Sequence, residues 1–173
     1  TELDRIRGYE ANYAGTSFVA DSEVGTLRYG SPAMSVRADR VEPDGLATVG
    51  WDDEGVAAQD WALIDDGVLV GVQLDRAMAA TVGQRSNGCA YADSAEHVPL
   101  QRMPNVSLQP DPDGGSLDDL IAGVNDGILV VGDGSWSIDM QRYNFQFTGQ
   151  RFERIRSGRR VGPLRDVAYQ GST

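Results

Sequence analysis

One histidine and one cysteine occur in the 173 residues, and they stand eight positions apart in the same stretch, Cys89 and His97. Imidazole and thiolate are the groups from which metal sites and nucleophilic pairs are most often built. With Asp93 between them they could supply three ligands to a zinc ion, or, without it, a thiolate–imidazole pair. Neither spacing matches a known signature, and nothing beside Cys89 marks it as an activated thiolate. Plainer readings cover both residues. His97, next to "VPLQRM", hydrogen-bonds within an ordered loop, and Cys89 is a partly buried, inert thiol.

Carboxylates cluster at Asp52-Asp53-Glu54, Asp65-Asp66 and Asp118-Asp119. Turn chemistry accounts for the second cluster and helix capping for the third. The first, "DDEG", reads as a solvated turn ahead of an acid–base pair. There is no Gly-x-Ser-x-Gly elbow, P-loop or dinucleotide fingerprint, and "VGDGSWS" reads as a turn. Taken alone, these residues assemble no catalytic site.

The elements that have to position them are mostly strands. "TSFVADSEVG", "AMSVRADRVE" and "LATVGW" read as strands, with "RYGSP" and "DDEG" as turns. "DWALIDDGVLVGVQ" reads as a hairpin turning at Asp65-Asp66-Gly67, where the Asp-Gly pair accepts positive φ. "LDRAMAATVG" is a short helix ended by Gly83. Residues 84–115 are rich in Gly, Pro, Asn and Ser, and too long to be mere connection. Tyr91, Val98, Leu100, Met103 and Val106 argue for an ordered loop with short extended pieces.

The clearest helix is 116–126. Ser116 caps it, Asp119 completes a capping box, Leu117, Leu120, Ile121 and Val124 form an apolar stripe, and Gly127 stops it. "ILVVG" follows as a buried strand, and the remainder alternates like a meander with a Ser157-Gly158 turn. "IDDGVLVGV" and "VNDGILVVG" look alike, but strand precedes the first and helix the second, so the likeness reads as chance. Residues 1–7 read as a short helix with acids early and arginines late, the order that the helix dipole favours. The expected fold is a single α+β domain over 1–173, predominantly antiparallel β in a meander or barrel-like sheet with a few short helices.

Charge narrows the function classes. Residues 1–140 hold 24 of the 26 acids and eight of the 15 arginines, while 141–173 hold seven arginines against two acids. A largely acidic surface repels phosphate backbones, which argues against direct nucleic-acid binding. "RFERIRSGRR" reads as a solvated hairpin. No apolar run approaches the length of a membrane span. A lone cysteine excludes an internal disulfide and fits a reducing compartment, the cytoplasm.

Several stretches together resemble the TldD/PmbA family of zinc metallopeptidases, also labelled modulators of DNA gyrase. They are "TELDRIRGYEANYAGTSF", "GWDDEGVAAQDW" with "LIDDGVLVGVQ", "SNGCAYADSAEHVPLQRMPNVSLQP", "SLDDLIAGVNDGILV" and "SWSIDMQRYNFQFTGQRF". They follow the family's order over nearly the whole chain. The resemblance implies a peptidase whose zinc-binding helix reads His-Glu-x-x-x-His, followed closely by an acidic pair like Glu2 and Asp4. It thus implies a chain that starts downstream of two zinc ligands and the general-base glutamate, with a third ligand, a cysteine, beyond Thr173. Cys89 does not match that cysteine. No zinc, and no catalytic or metal-binding residue, is therefore expected in these 173 residues.

What the resemblance leaves to this chain is the wall of a substrate cavity. His97, Arg102 and Asn105 match the family's His-x-Pro-x-x-Arg-Met-x-Asn pattern and are the expected contacts to a short or unfolded peptide; hydrogen bonding between loop and barrel is the competing role for them. Glu2 and Asp4 would orient a zinc histidine from behind. The implied partner is a homologous subunit in a paired, heterodimeric assembly. The rival function is a non-catalytic partner subunit or peptide-binding scaffold of the same family.

Overall fold

The computed structural model describes residues 17–139 and 143–172. The helix expected over 1–7, with Glu2 and Asp4, lies outside the described residues. Contacts divide the chain into two compact units, one ending at Gln109 and the other beginning at Pro110. Most of the regular structure is antiparallel strand, with few short helices, as an α+β reading requires.

In the first unit, β1 (Val36–Asp39), β2 (Asp60–Asp65), β3 (Val68–Leu69) and β6 (Asn105–Leu108) form one sheet in the order β3-β2-β1-β6. Among the described residues, α1 (Arg76–Thr81) and a two-strand ribbon, β4 (Ala90–Tyr91) with β5 (Leu100–Gln101), accompany it. The core is Val19, Val36, Ala38, Leu63, Ile64, Leu69, Val72, Leu74 and Ala79. The β2–β3 hairpin turns at Asp66 (φ 46°) and Gly67 (φ 81°), both left-handed, as Asp-Gly allows. Gly67 is also pressed against the backbone of Gly30 and Ser31, where a Cβ would collide with both carbonyl oxygens.

Helix α1 starts where Asp75 accepts a 2.7 Å bond from the Met78 N–H. It ends on Gly83 (φ 66°), with Gln84 N–H donating back to Ala79 O at 2.9 Å. Among the described residues two expected strands are absent. "TSFVADSEVG" winds into a 3₁₀ turn at Asp21–Glu23, where the Glu23 carboxylate accepts from Ala20 N–H at 2.6 Å. "LATVGW" turns at Leu46-Ala47 and makes only an isolated bridge, Trp51 with Ala57. Thr48 Oγ1 donates to Glu42 O at 2.5 Å, Ala47 N–H is taken by the Asn105 side chain, and Leu46 is fully exposed. Side chains there capture the groups that a strand ladder would have used.

The second unit holds α2 (Leu117–Ala122), β7 (Asp126–Val131), β8 (Trp136–Ile138), β9 (Asn144–Thr148), β10 (Arg151–Arg156), β11 (Arg159–Leu164) and β12 (Ala168–Ser172). Its sheets are ordered β11-β10-β7 and β12-β9-β8. Ser116 and Asp119 form the expected capping box. The helix stops at Gly123, one turn before Gly127, which lies inside β7. Of the apolar stripe only Ile121 is buried, while Leu117 and Leu120 are exposed. Strand β7, expected to be buried, is an edge strand in which Ile128 and Val130 are more than a third exposed. The β10–β11 turn sits at Ser157 (φ 47°) and Gly158 (φ 73°), where it was expected. The two similar segments differ locally, since Gly67 makes a turn and Gly127 extends a strand.

Candidate functional site

The long loop of the first unit is stitched down residue by residue. Ser86 Oγ donates to Leu74 O at 2.9 Å, and Asn87 brackets the same segment by accepting from Leu74 N–H and donating to Val72 O. Gly88 (φ 73°) approaches Ala57 so closely that a Cβ would lie 2.7 Å from its carbonyl oxygen. From the other side Asp52, buried rather than solvated, accepts from Glu54 and Val56 N–H through Oδ1 and from Ala90 N–H through Oδ2. Asp53 accepts from Ala92 N–H at 2.7 Å. The Asp52 and Asp53 carboxylates are thus the fastening of the β4–β5 ribbon, while that of Glu54 takes the Arg76 N–H. Backbone donors occupy them, which leaves no acid–base pair.

The ribbon pairs Ala90 with Gln101 and Tyr91 with Leu100, closing the intervening chain into a loop. His97 Nδ1 pairs with the Asp93 carboxylate across one turn of that loop. This hydrogen bond, and after it the charge of a protonated His97, hold the Asp93 carboxyl below its ordinary range. His97 borders two cavities. One, of about 440 Å³, is lined by Tyr91, Asp93, Val98, Leu100 and Arg102 as well as His97. The other, of about 510 Å³, carries Asp53, Ser94, Ala95 and Pro99 beside it. His97, paired with Asp93, forms a polar ridge between a cavity that carries Asp93 and the Arg102 guanidinium and one that carries the Asp53 carboxylate.

Of the three expected contact residues, His97 and Arg102 therefore share one cavity. Asn105 does not join them. It opens β6, where its Oδ1 accepts from Ala47 N–H at 3.0 Å and its Nδ2 donates to Thr48 Oγ1 at 3.1 Å. Glu2 and Asp4 lie outside the described residues.

The donors present do not suit zinc. Cys89 has no solvent exposure, and burial first, with the negative charge of Asp75 second, pushes its thiol up to about 12. A nearby Arg40 pulls the other way without reversing the shift. A thiol so protonated is neither a ligand nor a nucleophile at neutral pH. His97, by contrast, is open to solvent on the loop. Among the described residues no group of three His, Cys, Asp or Glu side chains is disposed to hold a metal. The Cys89–Asp93–His97 set does not fit zinc.

Sequence reading missed the buried charges Arg40, Asp52 and Asp75. Asp75 was findable as a helix N-cap. The burial of Asp52 carries no local signal, because it comes with the bond from Ala90, 38 residues away, and Arg40 has no sequence pattern that marks it as buried.

Comparison with known proteins gives one consistent outcome. Residues 7–173 match the C-terminal domain of PmbA/TldA metallopeptidases. A metalloprotease TldD homolog from Haemophilus influenzae is 30% identical over 142 residues, 82% of this chain and 29% of its own length. A zinc metalloprotease TldD homolog from Saccharolobus solfataricus is 31% identical over 123 residues, 71% of this chain and 27% of its own. The crystal structure of TldE from Thermococcus kodakarensis superposes with a TM-score of 0.70 at 25% identity, covering 87% of this chain and 33% of that one. The chain spans no more than a third of the length of each of these three.

Proposed function

Because the chain belongs to the TldD/PmbA metallopeptidase family, we propose that it is the C-terminal domain of a cytoplasmic zinc metallopeptidase that acts on short or unfolded peptides. In that protein this domain supplies wall of the substrate cavity, and the metal ligands stand on other residues. The observation that carries the reading is the His97 ridge with Arg102 on one flank. Close by in sequence runs β6, which ends its sheet and shows Val106 and Leu108 to solvent. An extended peptide recognised through its backbone needs an open strand edge and a few polar anchors.

The test is kinetic, on the full-length peptidase. His97→Ala and Arg102→Ala each raise KM for short peptides about tenfold and leave kcat within about twofold, the pattern of lost substrate binding. Bound metal stays unchanged. An unaltered KM in both variants would remove the cavity-wall role.

A second reading is favoured by the likeness to TldE. The domain then belongs to a metal-free subunit that pairs with a homologous, metal-bearing one. The two readings separate on the coding sequence upstream of Thr1. A His-Glu-x-x-x-His motif close before it supports the peptidase, and its absence supports the partner subunit.

A further inference from the structure

A cavity of about 570 Å³ lies against α1, away from the residues assigned above, and its chemistry differs from that of its surroundings. Residues 17–109 contain 14 acids against six arginines, and two of those six, Arg76 and Arg85, line this one cavity. Carboxylates are abundant in the unit, yet among the described residues neither guanidinium enters an ion pair. Glu54 lies beside Arg76, yet it spends its carboxylate on the main-chain N–H of Arg76, at 2.8 Å. The Arg76 guanidinium reaches only the neutral Glu54 carbonyl, at 3.5 Å. Two like charges on one cavity repel, and an anion between them relieves the repulsion.

The rest of the lining narrows the class of anion. Val56 and Ala80 offer a small apolar surface, and Gln59 and Gln84 offer amides. Gln59 Nε2 is tied to the carbonyls of Ala57 and Ser86, which leaves its Oε1 to accept from a ligand N–H. Guanidinium forks match a carboxylate in planar, two-point geometry. Neighbouring amide acceptors match peptide N–H groups, which a bare inorganic oxyanion lacks. We propose that this cavity binds the C-terminal carboxylate of an amino acid or short peptide, Arg76 and Arg85 holding the carboxylate and Gln59 accepting from an amide N–H.

The proposal stands apart from the His97 cavity and is tested on the 173-residue chain by calorimetric titration at low salt. Alanyl-alanine, alanyl-alanine amide and inorganic phosphate are the probes. The free acid binds at least about tenfold tighter than the amide, as expected when a charge-assisted pair is lost. Arg76→Gln and Arg85→Gln each weaken it about fivefold to tenfold at unchanged melting temperature. Equal binding of acid and amide overturns the proposal, as does failure of the acid to bind up to about 20 mM. Phosphate binding as tightly as the dipeptide overturns the peptide assignment. The acid–amide comparison is made on the unsubstituted chain, so it decides the matter even if a variant misfolds.

Discussion

Cys89 shows how far a side chain's surroundings can override its type. A free thiol invites a catalytic or metal reading, yet this one is sealed from solvent and held protonated by burial beside Asp75. Iodoacetamide at pH 8 therefore leaves the folded chain unmodified and labels Cys89 once denaturant unfolds it. Because the folded thiol titrates at about 12 instead of 9.0, its contribution to stability is complete below pH 9. It is lost as pH rises from 9 toward 12, where only the unfolded chain gains by ionising. Denaturation midpoints measured across that window test the sign, and Cys89→Ala flattens the fall. Asp93 runs the opposite way. Its lowered carboxyl keeps the His97 pair intact above the ordinary carboxylate range and releases it as pH falls through the lowered value. Asn105 is held by two hydrogen bonds to the 45–48 turn, so Asn105→Ala costs about 1–3 kcal/mol in urea unfolding by stranding their partners. His97, Arg102 and Asn105 came together as a group only through the resemblance to the family's His-x-Pro-x-x-Arg-Met-x-Asn pattern. That Asn105 faces a different neighbourhood from the other two was not legible, because its partners lie 57 and 58 residues away.

Among the elements, turns and caps followed local chemistry closely. Asp66-Gly67, Gly83, Ser116 and Ser157-Gly158 all do what their residue types predict. Comparing two glycines separates conformation from crowding. Both have positive φ, but Gly83 has open space around it and Gly67 meets the Gly30 and Ser31 carbonyls. Gly83→Ala then costs about 1 kcal/mol for the left-handed backbone alone. Gly67→Ala costs distinctly more, about 2–4 kcal/mol, since backbone has to move as well. Equal melting-point losses in the two variants would contradict the crowding argument. Strands were less legible than turns. "LATVGW" has the composition of a strand, but Asn105 takes the Ala47 N–H and Thr48 bonds backward to Glu42. A period of alternating residues cannot reveal that a distant amide will claim the backbone first.

Over the whole chain, apolar burial is unequal. Among the described residues, the first unit encloses eleven buried apolar residues and the second three, Ile121, Phe152 and Ile155. Amide hydrogen exchange should accordingly be slowest in β1 and β2 and faster through β7 to β12, since protection follows buried apolar contact. Slower exchange in β10 than in β2 would overturn this. Metal analysis of the 173-residue chain is expected to find no stoichiometric zinc, given where Cys89 and His97 lie; one tightly bound zinc per chain would restore them as ligands. By itself the sequence determined the predominance of antiparallel strands, the turns, the helix caps and the family, because each depends on residues close together in the chain or on an ordered set of motifs. Only the tertiary structure decided that Asp52 and Asp53 fasten a ribbon, that Cys89 is inert, and that two arginines meet on one cavity. Burial and electrostatic partnership are relations between segments far apart in sequence, and no local pattern encodes them.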